Sequence, residues 1–289
     1  MKPWLVAARP PTLLSSVAPV LVGGGLAIGD TAFRWDALIV TLVTAVLINV
    51  AVNFANDASD ARRGADGPHR IGPPRAVASG MLTARQVWVG TAVALAFASV
   101  GGGYLAWIAS WWILAVGFAA IVAALAYTGG PWPYGYHGLG EVFVFAFFGL
   151  AGVVGSRFVH DATLTEEAWL LAIPVGFLVT AILVANNVRD IDTDRTANKR
   201  TLAVILGRRR TRFLYATLVF AAFVLIAAYA AFTLTPPWTL LALIALPLAI
   251  PPVRTVTTQE SGPELIKALK LNTRVLLVVS VLLGIGAAV

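Results

Sequence analysis

Cysteine is absent from this chain and charge is scarce, since only 12% of its 289 residues are Asp, Glu, Lys or Arg. Without thiols there is no disulfide framework and no thiolate metal site. The three histidines, His69, His137 and His160, also lack the spacing of a zinc site. Any metal here must be held by oxygen. Soluble domains usually carry about a quarter charged residues. A chain that is 58% hydrophobic, with a mean hydropathy of +0.82, is therefore excluded from that class and belongs in a membrane. The basic start MKPWLVAARPPTLL has no small-residue cleavage site behind a short apolar core and reads as an interfacial lead-in to a first span.

What is abundant is apolar sequence in runs of about 20 residues, the length that crosses a bilayer. Such runs fall at 12–29, 36–56, 87–107, 110–128, 140–157, 168–188, 212–233, 237–253 and 271–289, with the Pro-rich eighth open to kinking. The expectation is one integral domain over 1–289, an all-α membrane bundle of about nine helices. With the N-terminus in the cytoplasm, every one of the 21 Lys and Arg residues except Arg34 and Arg157 falls on the cytoplasmic side. The net charge of +7 is thus mainly a topology signal and gives no ground for a nucleic-acid partner.

The few acids are not scattered. Asn56-Asp57-Ala-Ser-Asp60, at the end of the second run, is echoed 130 residues later by Asn186-Asn187-Val-Arg-Asp190 at the end of the sixth. The echo continues loosely, RAVASG from Arg75 answering RTLAVILG from Arg200, which suggests two related four-helix halves plus a ninth helix. Repeats of this kind commonly place a site where the halves meet. Helical spacing lets Asn53, Asn56, Asp57 and Asp60 share one face, and Asn187, Asp190 and Asp194 another, with Asp192 pointing elsewhere. One ionised carboxylate at membrane depth costs roughly 2.5–3.5 kcal/mol, so a clustered set needs a positive partner. Mg²⁺ uses one or two carboxylates and completes its shell with water and phosphate oxygens. Two facing clusters read as sites for Mg²⁺ shared with a diphosphate, whose other oxygens Arg70, Arg75, Lys199 and Arg200 would grip. A lipid diphosphate suits such a place, its head needing metal and its tail bilayer.

The stretches NDASD with RIGPPRAVASG, YTGGPWPYGYHGLGE (Tyr127 to Glu141) and NNVRDIDTDRTANKRTLAVILGRR (Asn186 to Arg209) resemble, in order, the motifs of the UbiA-type superfamily of intramembrane aromatic prenyltransferases. Within it the wording is most similar to the 1,4-dihydroxy-2-naphthoate polyprenyltransferases of menaquinone biosynthesis. The resemblance implies a nine-helix bundle around a central cavity that opens sideways to lipid, with Mg²⁺ between the two aspartate-rich motifs. The first motif matches at Asn56, Asp57 and Asp60 but departs at its last aspartate, where Gly64 stands and the next carboxylate is Asp66. The second matches at Asp190 and Asp194. Carried over, Asn56, Asp60, Asp190 and Asp194 are the candidate metal ligands and Asp57, Asp60 and Asp190 the candidate catalytic residues. Asn53, Tyr127, Tyr134, Tyr136, Glu141 and Asn187 would wall the pocket for the aromatic substrate. The implied partners are a polyprenyl diphosphate, 1,4-dihydroxy-2-naphthoate and the bilayer of the cytoplasmic membrane. The implied reaction is attack of the electron-rich ring on an allylic cation, after which loss of CO₂ and a proton restores aromaticity and gives a demethylmenaquinol.

Other readings stand beside this one. Hydroxybenzoate, homogentisate or haem could be the acceptor. An ion-coupled transporter also shows duplicated halves with intramembrane acids, but here the acids sit at helix ends beside basic loops. A phosphatidyltransferase would need a D-G-x₂-A-R signature, which is missing. The acids could be solvated caps, although a carboxylate is unfavourable at a helix C-terminus. Arg208 to Arg210 read as an anchor for anionic lipid, Gly23 to Gly25 and Gly101 to Gly103 as close-packing positions, the tryptophans as interface anchors and His137 as a loop residue.

Overall fold

The computed structural model describes residues 3–64, 71–260 and 262–289. All of its regular structure is helical. A short helix α1 (Pro3–Ala8) precedes α2 (Pro10–Gly29), α3 (Trp35–Arg62), α4 (Ala84–Ile108) and α5 (Trp112–Ala126). After a 3₁₀ turn at Tyr134–His137 one span is built from α6 (Gly140–Val144), a π-helical stretch (Phe145–Ala151) and α7 (Gly152–Phe158). Then come α8 (Glu166–Thr196), the short α9 (Leu202–Leu206), α10 (Arg208–Ala231), a 3₁₀ segment (Pro237–Ala245) leading into α11 (Leu246–Thr258), and α12 (Gly262–Ala287). All nine expected runs are helical. Among the described residues eight spans are long and apolar enough to cross a membrane, whereas α5, at 15 residues, falls short of that length. Eight spans and a shorter apolar helix thus stand where nine crossings were expected.

Helix length positions the acids. At 1.5 Å per residue, the 31 residues of α8 extend about 46 Å and the 28 of α3 about 42 Å, beyond a hydrocarbon core of about 30 Å. Both helices run out of the apolar layer near their C-termini, where Asn56–Asp60 and Asn187–Asp194 lie. The apolar part of α8 is the axis of the bundle: Leu171, Ala172, Val175, Val184, Ala185 and Val188 are fully buried. Around it α2, α10, α12 and the π-containing span close one continuous core. Glycine makes the seams. A Cβ on Gly25 would overlap the backbone of Gly284 on α12, and one on Gly23 would come within 2.7 Å of the Arg157 backbone. Gly101 packs against Thr44, but Gly102 and Gly103 face nothing within 4 Å, so only the first of that triplet is a packing position.

The end of the bundle away from the acid motifs is closed by ion pairs. Arg157, 2% exposed, donates to Asp30 at 2.6 Å and to Asp161 at 2.7 Å, and Arg34 pairs with Asp36 at 2.6 Å. The two basic residues that broke the charge asymmetry are thus each matched by aspartate. Trp107, Trp111, Trp112 and Trp132 are exposed, as interface anchors should be.

Candidate active site

Four side chains at the end of α3 were expected to share one helix face, and each has its own partners in the structure. Asn53 donates to the Ala8 carbonyl and the Thr12 hydroxyl, both at 2.9 Å, so its amide ties α1 and α2 to α3. Asp57 is fully buried and accepts from the backbone amides of Ala76 at 2.9 Å and Val77 at 3.2 Å. Its carboxylate thereby shapes the loop after α3. Asn56 accepts from the Thr128 hydroxyl at 2.9 Å. Asp60 accepts from the Tyr136 hydroxyl at 2.9 Å and from the buried Arg75 guanidinium at 3.5 Å.

The second motif sits on the last turns of α8. Arg189 grips both oxygens of Asp190, at 2.7 and 2.5 Å. Asp194 accepts from the Thr201 hydroxyl at 3.3 Å, attracted by Lys199 and repelled by Asp190 and by Asp60 from α3. The two motifs are therefore near enough to act on each other's charge. Asp192 turns outward, as its spacing requires, and pairs with Arg208 at 2.6 Å. Because Arg208 also donates to the Val188 carbonyl at 3.1 Å, it fastens α10 to α8, which corrects its reading as a lipid anchor; Arg209 and Arg210 stay exposed. One turn before Asp190, Asn187 donates to Glu141 Oε1 at 2.8 Å.

Tyr136 joins the two sides. Its hydroxyl reaches Asp60, its ring faces the Lys199 ammonium at 5.0 Å and the Arg63 guanidinium at 5.4 Å, and its carbonyl accepts from the Arg200 amide at 3.2 Å. This places Tyr136 beside the charged head of the cleft. Arg63 was not singled out from the sequence; it also donates to the carbonyls of Thr128 at 3.0 Å and Gly130 at 2.7 Å, pinning the loop that carries the tyrosines. The Arg200 side chain is exposed. Arg70, Asp66 and His69 lie outside the described residues.

An aromatic column leads inward from the acids. Tyr127 meets Tyr134 edge-on at 5.4 Å, Tyr134 stacks on Phe143 at 4.0 Å, and Phe143 is followed by Phe147 at 6.2 Å. Phe143 and Phe147 were not foreseen. Burial raises the pKa of the Tyr127 hydroxyl well above that of an ordinary tyrosine, and the neighbouring Glu141, Tyr134, Asp60 and Asp194 add to the shift. Burial raises Tyr134 as well. Both phenols keep their protons, and Tyr127 marks the point where α3, α8 and the α6 start converge.

This donor set fits Mg²⁺. Among the described residues no three of His, Asp and Glu are grouped to cage a metal by themselves. Asp60 on α3 and Asp190 and Asp194 on α8 are nevertheless near enough for their charges to act on one another, and oxygen ligands from two helices suit an ion that brings phosphate oxygens as its remaining ligands.

Fold and site together define a multi-pass membrane enzyme of the prenyltransferase class. The sequence pattern of the UbiA prenyltransferase family matches residues 16–274, and the chain belongs to that family. It is 41% identical over 267 residues to the 1,4-dihydroxy-2-naphthoate octaprenyltransferase of Mycobacterium tuberculosis (strain ATCC 25618 / H37Rv), covering 92% of this chain and 90% of that one. It is 35% identical over 297 residues to the enzyme of the same name from Escherichia coli (strain K12), covering 99% and 96%. Its fold is similar to an apo UbiA homolog from Aeropyrum pernix K1, with a TM-score of 0.69 and 18% identity over 93% of this chain and 94% of that one. It is also similar to a UbiA homolog from Archaeoglobus fulgidus bound to DMAPP and Mg²⁺, with a TM-score of 0.64 and 17% identity over 80% and 78%.

Proposed function

We propose that this chain transfers a polyprenyl group from a polyprenyl diphosphate to 1,4-dihydroxy-2-naphthoate, releasing diphosphate and CO₂ and giving demethylmenaquinol. The observation that carries the reading is that Tyr136 bridges the two acid motifs, its hydroxyl donating to Asp60 of α3 and its ring facing Lys199, whose backbone amide donates to the Asp194 carbonyl of α8. The naphthoate octaprenyltransferase names of the relatives support the acceptor. Asp60, Asp190 and Asp194, with Asn56 beside them, are the residues that would hold Mg²⁺. When bound, that ion neutralises the charge that develops on the diphosphate as the allylic C–O bond breaks.

Arg75 and Lys199 bracket the same acids and bind the remaining phosphate oxygens, with Arg70 and Arg200 as the further proposed diphosphate contacts. Lys199 rests on the Tyr136 face and Arg75 on Asp60, so both cations are held beside the head site before substrate arrives. Below them the faces of Tyr127, Tyr134 and Phe143 line the path of the allylic carbon, where an aromatic face stabilises positive charge and a dry wall keeps water from capturing it. The prenyl tail continues into the bilayer. The acid end faces the cytoplasm in this reading, following the bias of the basic residues.

The test is transfer by purified protein in detergent with a labelled polyprenyl diphosphate, Mg²⁺ and a choice of acceptors. A prenylated, decarboxylated naphthalene product supports the assignment. Turnover only with hydroxybenzoate or another phenol would keep the chemistry and overturn the acceptor, and no turnover with any acceptor would favour an ion-coupled transporter.

A further inference from the structure

Glu141 is a buried carboxylate beside the second acid motif that the metal and diphosphate chemistry leaves unused. It is 6% exposed, and its two oxygens differ in company. Oε1 accepts from Asn187 at 2.8 Å, whereas Oε2 is buried with no hydrogen-bond partner among the described residues. Buried polar atoms are nearly always paired, and an orphan calls for an explanation. Packing alone gives none, because an unpaired buried carboxylate oxygen destabilises the fold. An apolar or amide side chain would fill the same space at lower cost.

Its position supplies the explanation. Asn187 precedes Asp190 by three residues on α8, so the Glu141–Asn187 pair lies about 4.5 Å deeper along that helix than the second acid motif. That depth suits the acceptor ring, which must meet the carbon next to the diphosphate. The titratable group that faces it is Tyr127, from the loop before α6, and Tyr127 in turn feels Tyr134, Asp60 of α3 and Asp194 of α8. The tyrosines hold their protons, and the aspartates belong to the head site.

We propose that Glu141 Oε2 is the proton acceptor for the hydroxyl adjacent to the carboxylate-bearing carbon of the acceptor, with Asn187 fixing the carboxylate through Oε1. The assignment rests on the naphthoate reading above. As the allylic C–O bond breaks, its electron pair leaves with diphosphate. The hydroxyl proton passes to Glu141 while the oxygen lone pair drives the ring carbon onto the allylic carbon. The new C–C bond leaves a ketone beside a quaternary carbon that still bears its carboxylate. The bond to CO₂ then breaks, its pair returns through the ring to the ketone oxygen, and that oxygen takes the proton back from Glu141. Counted from the carboxylate form of the acceptor, no proton is gained or lost, and no oxidant is required.

Glu141→Gln tests this, because Gln keeps the size and the acceptor for Asn187 but cannot take a proton. The readouts are polyprenyl diphosphate binding and the single-turnover transfer rate as a function of pH. The expected variant binds the diphosphate like wild type, transfers about 10²–10⁴-fold more slowly, and loses the acid limb of the wild-type profile. A rate within tenfold of wild type, or a slow rate with the wild-type pH profile intact, overturns the assignment and leaves Glu141 a packing residue. Should Glu141→Gln not fold, Glu141→Asp replaces it. A slower rate with the acid limb retained supports the proposal, and an unchanged rate contradicts it. Wild type that fails to prenylate the naphthoate would instead sink the reading of function, so the two failures are told apart.

Discussion

Residues that look alike in the motif NDASD separate once their partners are known, and the separation is measurable. Removing the Asp57 carboxylate strands the buried Ala76 amide, at about 1–3 kcal/mol, and unpairs the part-buried Val77 amide, so Asp57→Ala lowers the melting temperature in detergent. Asp194 is held beside two other acids, so Asp194→Ala leaves the melting temperature near wild type while turnover falls by about a hundredfold or more. Equal melting losses in both variants would contradict the division. At the opposite end, His160 is buried on Phe33, accepts from the Arg34 amide at 3.0 Å, and faces Arg157, Asp161, Arg34 and Asp36. Burial, then the charge of Arg157, pushes its pKa below the ordinary 6.5. The unfolded chain therefore binds the proton first as pH falls. The stability His160 contributes is complete above about pH 6.5 and is lost as pH drops through its lowered folded value. Melting curves from pH 8 to 5 should fall less steeply for His160→Gln than for wild type, and parallel curves would refute this. Sequence spacing did reveal that Asn187, Asp190 and Asp194 share a face and that Asp192 does not. It could not reveal that Arg189 holds Asp190 or that Asn187 meets Glu141, because those pairings depend on rotamers and on how separate helices pack.

Among the elements, the seam between α2 and α12 is the most exposed to test. Small residues let two backbones approach inside a bilayer, where apolar contact alone gives little drive to associate. A side chain on Gly25 meets the Gly284 backbone, which cannot rotate away, so Gly25→Leu destabilises by about 1–3 kcal/mol or more. Gly102→Leu, facing open space, stays within about 0.5 kcal/mol. Thermal melts of the two variants check the contrast, and equal behaviour would show that the seam tolerates side chains. Hydropathy placed the apolar middle of each helix, because apolar length is written directly in the chain, but it stopped six to nine residues short of the polar ends of α3, α8 and α12. It did not separate Gly25 from Gly102, nor find that the span carrying Glu141 passes through a π-helical stretch. Both follow from which helix lies opposite.

At the scale of the whole molecule, charge and the duplicated acid motifs point the same way. Basic residues gather at the end where α3 and α8 release their acids, and Arg34 and Arg157 at the other end are matched by Asp36, Asp30 and Asp161. The proposed sidedness can be read directly because the chain has no cysteine of its own. A cysteine at exposed position 209 should react with a membrane-impermeant maleimide only in inverted vesicles, and one at position 163 only in intact cells; the reverse pattern would invert the topology. The central claim is that both halves bind one diphosphate together. Its most direct test is Mg²⁺-dependent binding of a non-reactive polyprenyl thiodiphosphate to wild type, Asp60→Ala and Asp194→Ala. Binding that needs Mg²⁺ in wild type and is lost to a similar degree in both variants is the predicted result. Mg²⁺-dependent binding that survives intact in either variant would mean that one motif suffices, and the shared site would be wrong.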